Sequence, residues 1–322
     1  MQIRRALAAL LLGSLLACSK GVREVDEIPG LKLAESITAV QDDVFNDPDV
    51  ITWRPAIRIM QDGATMAGDA AGAWTDWSHT NDLDGTHFAP PPSPFSFDRL
   101  FGRTEPNPWP SDIQLYDPEN SDNYEEVREY LARVAERMDH ETFAGDPAPR
   151  GANTIPGEAL LIRADEFSRF YYTQKILEVG SYLHVQIWKY QLATSEGKIL
   201  RVYGPKERRV DDIDIEDVEV TIKVKNEGNK LDESGVRPYD PSRDMRFIYD
   251  DTRDVTYHVG PRSYRDLEEL EQRLRSIHEE YNIPIGSIDA RPGTLTQEAV
   301  NVFDRLILAG FEKITIVGSY ED

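Results

Sequence analysis

Thiols, basic side chains and long apolar runs are what this chain has least of. Cys18 is the only cysteine in 322 residues, so no internal disulfide can form, and stability in an oxidising compartment must come from core packing. Lys and Arg total 36 against 58 Asp and Glu, a formal charge of −22. That balance argues against nucleic acid as a partner, because the phosphate backbone selects basic surfaces. After Cys18 no apolar run approaches the roughly 20 residues that a spanning helix needs. Three motifs are missing as well: the Gly-x-Ser-x-Gly elbow, His-Glu-x-x-His, and a phosphate-cradling Gly-Lys-Ser/Thr loop. No cofactor is implied.

The first 17 residues are what the rest of the chain is not. Arg4 and Arg5 open a short apolar run that ends with Leu15-Leu16-Ala17 before Cys18, the layout of a cleaved secretory signal peptide. Leu15 to Cys18 resembles the bacterial lipobox, in which the cysteine thiol is acylated and becomes the new N-terminus. The resemblance implies a lipid anchor at Cys18 and a place in the bacterial cell envelope, facing the periplasm or the exterior. Several acyl chains hold far better than one, at about 0.8 kcal/mol per buried CH₂. Acylation removes the one thiol from metal binding and from catalysis. Losing Arg4 and Arg5 with the leader makes the body more acidic still, so anionic lipid repels it and it is expected to stand off its membrane.

Residues 18–110 read as an irregular, lipid-anchored stand-off arm, rich in Pro and Gly. Trp53, Trp74, Trp77, Phe95, Phe97, Phe101 and Trp109 are too many aromatics for a disordered linker; they either pack on the body or form an exposed patch for a partner. Within the arm, His79, Asp82, Asp84 and His87 bring metal-type ligands into one loop. An EF-hand is excluded, since Thr80 and Pro91 would fill the first and twelfth ligand positions, and a solvated acidic loop needs no metal. No metal site is assigned.

Regular patterning begins near residue 111. Ile113, Leu115 and Tyr116 predict a strand, and Val127, Leu131, Val134 and Met138 mark the buried face of a helix over 124–138. Leu160 to Asp165 predicts a strand. Phe170, Thr173, Ile176, Leu177 and Gly180 predict a helix over 169–182, and Ile187 to Ala193 another strand. After a charged stretch, Ile213 to Val224 alternates as a half-buried strand does, and Phe247, Ile248 and Tyr249, then Val255, Tyr257 and Val259, predict two more short strands. Leu267, Leu270, Leu274 and Ile277 predict a helix over 264–278. Ile283 to Ala290 then predicts a strand, and Thr294 with Gln297 a capping box. Val300, Phe303, Ile307 and Gly310 mark a helix, and Lys313 to Val317 a final strand.

Two stretches of this pattern match. Ile162 lies 126 positions before Ile288, and Lys189 lies 124 before Lys313, as in a repeated strand-helix-strand unit; the unit is common enough that chance also produces such a match. The expected fold is α+β, with a first module over 111–204 and a second over 205–322, each strand-helix-strand-helix-strand.

Residues 255–317 resemble the periplasmic domain of the ExbD/TolR family of biopolymer-transport proteins, which partner ExbB- and TolQ-type proton channels. The resemblance rests on Leu267-Glu-Glu-Leu270, on Pro284 to Ala290 and on Leu308-Ala-Gly-Phe-Glu-Lys-Ile314. In the first copy it rests on Ile162-Arg-Ala-Asp165 and Ile187-Trp-Lys-Tyr-Gln-Leu-Ala193. It implies a non-enzymatic component of transmembrane transport and energy transduction, with an ExbB/TolQ-type channel protein, peptidoglycan or a second copy of the chain as partner. The family's transmembrane helix and its proton-handling aspartate have no counterpart here. A dimer edge is expected at Lys313, Ile314, Thr315, Ile316 and Val317, because an uncovered strand presents unpaired backbone groups.

One enzymatic alternative stands beside this. Arg163, Asp165, Asp289 and Arg291 lie at the ends of equivalent strands, where carboxylates can pair as acid and base in a hydrolase of envelope polymers. Ion pairs or helix capping account for the same residues. His184, His258 and His278 are isolated.

Overall fold

Leu160, Ile162 and Ala164 face one core and Leu161 between them faces another, the period-two alternation of a strand buried on both sides. That strand lies in a twelve-stranded mixed sheet. The computed structural model describes residues 31–41, 55–68, 114–118, 123–136, 138–142, 144–149, 151, 154–206, 217–226 and 253–318. In chain order the elements are β1 (Val40–Gln41), β2 (Ala56–Ile59), β3 (Thr65–Gly68), β4 (Gln114–Tyr116), α1 (Glu125–Ala135), β5 (His140–Thr142) and β6 (Thr154–Pro156). Then come β7 (Leu160–Ala164), α2 (Phe170–Ser181), β8 (Lys189–Thr194), β9 (Lys198–Lys206), β10 (Val218–Asn226), β11 (Asp254–Val259) and β12 (Arg262–Tyr264). The last are α3 (Leu267–Tyr281), β13 (Ile285–Ala290), α4 (Thr296–Leu308) and β14 (Lys313–Val317). The fold is α+β.

The sheet order is β12-β11-β10-β13-β14-β9-β8-β7-β2-β3-β4, with β1 added on β9 and β5-β6 forming a separate hairpin. Each half of this order carries the same unit. In the N-terminal half β4, β3 and β2 are antiparallel neighbours, then β2, β7 and β8 run parallel, with α1 before β7 and α2 before β8. In the C-terminal half β12, β11 and β10 are antiparallel neighbours, then β10, β13 and β14 run parallel, with α3 before β13 and α4 before β14. Both units therefore read β-β-β-α-β-α-β: the first has two strands more at its front than expected, while in the second β10 and β11 match expected strands, β12 was not expected, and the strand expected at 247–249 lies outside the described residues. β9 joins the halves: it is antiparallel to β8 and parallel to β14.

The helices form where their sequences say they should. Val127, Leu131 and Val134 of α1 are fully buried, and so are Leu270 and Leu274 of α3. α3 starts at Asp266, whose carboxylate accepts from Glu268 N (2.8 Å) and Glu269 N (2.9 Å). It ends at Asn282 in the left-handed region (φ 53°). Gly310 ends α4 with φ 105°, as its position predicts. On α4 the buried face is Val300, Val302, Phe303 and Leu306; Ile307, expected inside, is exposed. The capping box expected of Thr294 and Gln297 falls one residue later, where Glu298 Oε2 accepts from Leu295 N at 2.9 Å.

Part of what reads as an arm belongs to the body. Residues 55–68 supply β2 and β3, and β2 sits between β3 and β7 inside the sheet. Residues 31–41 run as a strap that buries Leu31, Leu33 and Ala34. Leu31 and Leu33 pack with Ala56, Leu161, Ala193 and Ile199 on the sheet face opposite the large core. β9 (Lys198–Lys206) is a further strand that the sequence pattern of the first module, whose last predicted strand is Ile187 to Ala193, does not predict.

Candidate functional site: the clasp between the halves

Every α-helix leaves its first N–H groups without intrahelical partners. α2 and α4 begin at Arg169 and Leu295, and neither residue supplies a side-chain cap. The two helix starts cap each other instead. Phe170 N donates to Thr294 O (2.8 Å), Thr296 N to Ser168 O (2.9 Å) and Gln297 N to Glu166 O (3.0 Å), around a bridge between Arg169 and Leu295. Ser168 and Thr294 are separated by the same 126 positions as Phe170 and Thr296, so the first two bonds are reciprocal between equivalent residues. The hydroxyls of Ser168 and Thr296 meet at 2.9 Å, fully buried. This clasp joins the two halves at the loops that carry the strand-end charges.

Those charges are engaged in structure. Asp165 is 2% exposed; its carboxylate accepts from Lys32 N and Phe167 N, both at 2.9 Å, and its carbonyl accepts from Ser168 Oγ at 2.8 Å. Glu166 next to it pairs with Lys32 Nζ at 3.0 Å. Asp289 is 1% exposed and pairs with Arg291 at 2.9 Å. Arg163 is fully buried and lies beside Arg58 across the β2–β7 ladder. The four residues thus lie at the ends of β7 and β13, with Asp165 held by backbone N–H groups and Asp289 by Arg291.

The strap crosses this clasp in chain order. Lys32 and Leu33 bond to the loop after β7, and Ser195 N donates to Ala34 O at the β8–β9 turn. Glu35 is held by its backbone at both ends: its N–H donates to Gln297 Oε1 (2.7 Å) and its carbonyl accepts from Gln297 Nε2 (2.8 Å). Asp304 of α4, 4% exposed, accepts four hydrogen bonds. They come from Ser36 Oγ (2.6 Å), Ile37 N (3.0 Å), Thr38 N (3.2 Å) and Thr38 Oγ1 (2.5 Å). Val40 and Gln41 then pair with Ile199 and Lys198 of β9. Beside the strap runs an open groove of about 470 Å³, lined by Glu35, Ile37, Glu196, Asn301, Asp304 and Arg305 among others. Glu196 is held below the usual carboxylate range by its hydrogen bond and charge contact with Lys198. Arg305 pairs with Glu271 at 2.9 Å.

The expected dimer edge is not an edge. Lys313 to Val317 form β14, which has β13 on one side and β9 on the other, with Thr315 opposite Tyr203 and Val317 opposite Lys206. Ile314 and Ile316 are core residues, and Lys313 Nζ lies 5.1 Å over the Tyr203 ring. The halves meet through this strand inside one chain, which leaves no unpaired ladder there for a second copy. Of the isolated histidines, His278 is bonded through Nδ1 to Ile283 O at 2.9 Å. His258 has its pKa lowered by burial and by Lys223 and Lys225, and His184 is exposed beside Tyr182. Cys18, the loop with His79, Asp82, Asp84 and His87, and the arm aromatics lie outside the described residues. Among the described residues no helix is long and apolar enough to cross a membrane, and no group of three or more metal-type ligands comes together. Sequence reasoning missed Gln297 and Asp304 as strap ligands, because a polar residue on a helix ordinarily marks its solvated face.

Comparison of the chain with protein-family models, with curated proteins and with solved structures gives no match.

Proposed function

We propose that this chain is a non-enzymatic envelope lipoprotein, anchored through Cys18 and facing the periplasm or the exterior. It acts by binding protein or peptidoglycan, as an accessory or relative of an ExbB/ExbD (TolQ/TolR) type transport and energy-transduction system. The observation that carries this reading is the doubled β-β-β-α-β-α-β unit whose strand-end carboxylates, Asp165 and Asp289, are bound up in holding loops and ion pairs. A binding scaffold needs those groups rigid. The motif resemblance of 255–317 and of the first copy to ExbD/TolR supplies the partner class, an ExbB/TolQ-type channel protein. β14 is already paired on both sides, so a homodimer through that strand is not part of the reading.

Crosslinking in native envelopes with the lipidated chain as bait, run beside binding to purified peptidoglycan, tests it. Recovery of a multi-pass channel protein of the ExbB type is the expected result. Peptidoglycan binding with no membrane partner leaves a wall-binding lipoprotein and removes the motor.

A further inference from the structure

The two halves close the same turn differently. After α2, Ile187 N donates to Gly180 O (2.8 Å); after α4, Phe311 N donates to Leu306 O (3.1 Å). Six residues lie between the bonded pair in the first turn and four in the second. The longer turn sends its side chains outward: Leu183 is 86% exposed and Tyr182 49%. Trp188, 40% exposed, stands where the second half has Glu312. It shares a sheet face with Tyr190, whose hydroxyl lies under α2 between Leu177 O and Ile187 O. Two residues nearer the strand's start, Trp188 emerges past the helix end, beside the turn. Three of the nine large apolar side chains exposed among the described residues thus fall within seven consecutive positions. The turn that carries them is rigid. Val185 and Ile187 are buried, and Tyr182 O accepts from Val185 N (2.8 Å) and Gln186 N (2.9 Å). Gln186 is held at φ 59°, where its counterpart is Gly310 and where a side chain is strained.

No acid lies within 182–188, in a chain that carries 58 of them. The charges that flank the stretch are already paired, Glu178 with Lys175 at 3.1 Å and Lys189 with Glu141 at 2.7 Å. The three side chains expose on the order of 400 Å², about half of the roughly 800 Å² that each partner gives to a standard protein interface. A leucine between a tyrosine and a tryptophan, each ring with a polar tip, is instead what settles at the boundary of water and hydrocarbon. We propose that the 182–188 turn is a membrane-contact knob, seating Leu183, Tyr182 and Trp188 in the interfacial layer of a phospholipid surface. A body of formal charge −22 is repelled by anionic lipid, so the surface it meets is a neutral one. The knob acts on its own account and does not require the anchor at Cys18.

The test uses the mature chain, residues 18–322, made without acylation so that the result does not depend on Cys18. It is mixed with phosphatidylcholine vesicles, and the bound fraction is read by sedimentation. The parent is expected to bind, and Leu183→Asp, at a side chain almost wholly in solvent, to weaken the partition at least tenfold. Tyr281→Asp makes the same charge change at another exposed ring, 58% exposed at the end of α3, and is expected to stay within twofold of the parent. Trp188→Phe reports position: brominated lipid is expected to quench the parent's tryptophan emission, and at least half of that quenching to be lost in the variant. Replacing part of the neutral lipid by phosphatidylglycerol is expected to weaken binding, and added salt to restore it. Equal binding of Leu183→Asp and parent, quenching unchanged by Trp188→Phe, or binding that rises with phosphatidylglycerol each overturn the knob. A parent that ignores the vesicles also overturns it; if that parent self-associates and Leu183→Asp abolishes the association, the turn serves a second copy instead.

Discussion

The two halves share a topology and differ in what lies behind the sheet. On the helix side both are apolar: Ile162 and Leu192 in one, Ile288 and Ile316 in the other. On the opposite side they part. Leu161 in the N-terminal half packs under the strap with Ala56, Ala193 and Ile199. Its counterpart 126 positions on is Ser287, in a cross-strand row of Glu219, Ser287, Thr315 and Tyr203. One face has been given a cover of its own chain and the other has been kept polar. A repeated unit must preserve the core that its helices bury, while its second face is free to take on separate work.

The pair Leu161 and Ser287 breaks or sustains that contrast most sharply. Leu161→Ala removes a side chain 1% exposed and is expected to cost about 2–5 kcal/mol, the range for a leucine cavity. Ser287→Ala removes an Oγ with no hydrogen-bond partner among the described residues and is expected to change stability by less than about 1 kcal/mol, in either direction. Urea unfolding midpoints of the two variants decide it, and equal losses would mean that the two faces are not built differently.

The helix ends offer a second contrast. Gly310 closes α4 because its φ of 105° suits glycine. Gly180 in α2 is needed for space: a Cβ there would stand 2.3 Å from Tyr190 Oη, and that hydroxyl is fixed between Leu177 O (3.1 Å) and Ile187 O (2.7 Å). Gly180→Ala is expected to cost about 1–3 kcal/mol by overpacking, and Tyr190→Phe in the same chain to recover part of it. Gly310→Ala is strained twice, by its φ and by a Cβ 2.8 Å from the His278 ring, so a change of partner alone does not rescue it. Smaller again is Thr296→Val at the clasp, which loses the hydroxyl contact with Ser168 and is expected to cost about 1 kcal/mol. Combined with Ser168→Ala the losses should fall short of additive, since the two hydroxyls share one bond; full additivity in thermal unfolding would show that the hydroxyls act separately.

Helices and the strands on either side of them were legible because one residue in three or four is buried on a single face. The repeat was visible in Ile162 and Ile288 for the same reason. β9 was not, since Ile199 and Leu200 are buried on opposite faces and the strand shows no alternation; Gly204 and Pro205 further suggest a break. β2, only four residues in a stretch of turn-formers, was too short to stand out. The clasp left no trace at all. It is made by backbone groups across 126 positions, so Arg169 and Leu295 look like uncapped helix starts until the fold brings them together. Asp304 looked solvated for a related reason, as its burial comes from a strap more than 260 residues away.

The β5–β6 hairpin between α1 and β7 has no counterpart between α3 and β13, and it gives the N-terminal half a pH response of its own. Glu158, just after β6, has its pKa pushed up to about 7, first by burial and then by the Asp139 carboxylate, against the opposing pull of the Asp139 N–H donated to it at 3.2 Å. A carboxyl raised in the fold favours the protonated state there. Its stabilising contribution is therefore complete below about pH 4.5, the ordinary carboxyl value, and is lost as pH rises to about 7 and beyond. Glu158→Gln keeps an acceptor for Asp139 N–H but cannot ionise. It is expected to match the parent at pH 4 and to exceed it at pH 8 by on the order of 1 kcal/mol, the full shift being reduced because the group is partly solvated. Unfolding midpoints across pH 4–8 that run parallel for the two proteins would remove Glu158 as the source. A gap that opens between pH 5 and 7 would place in the hairpin a sensitivity that the C-terminal half, lacking it, does not share.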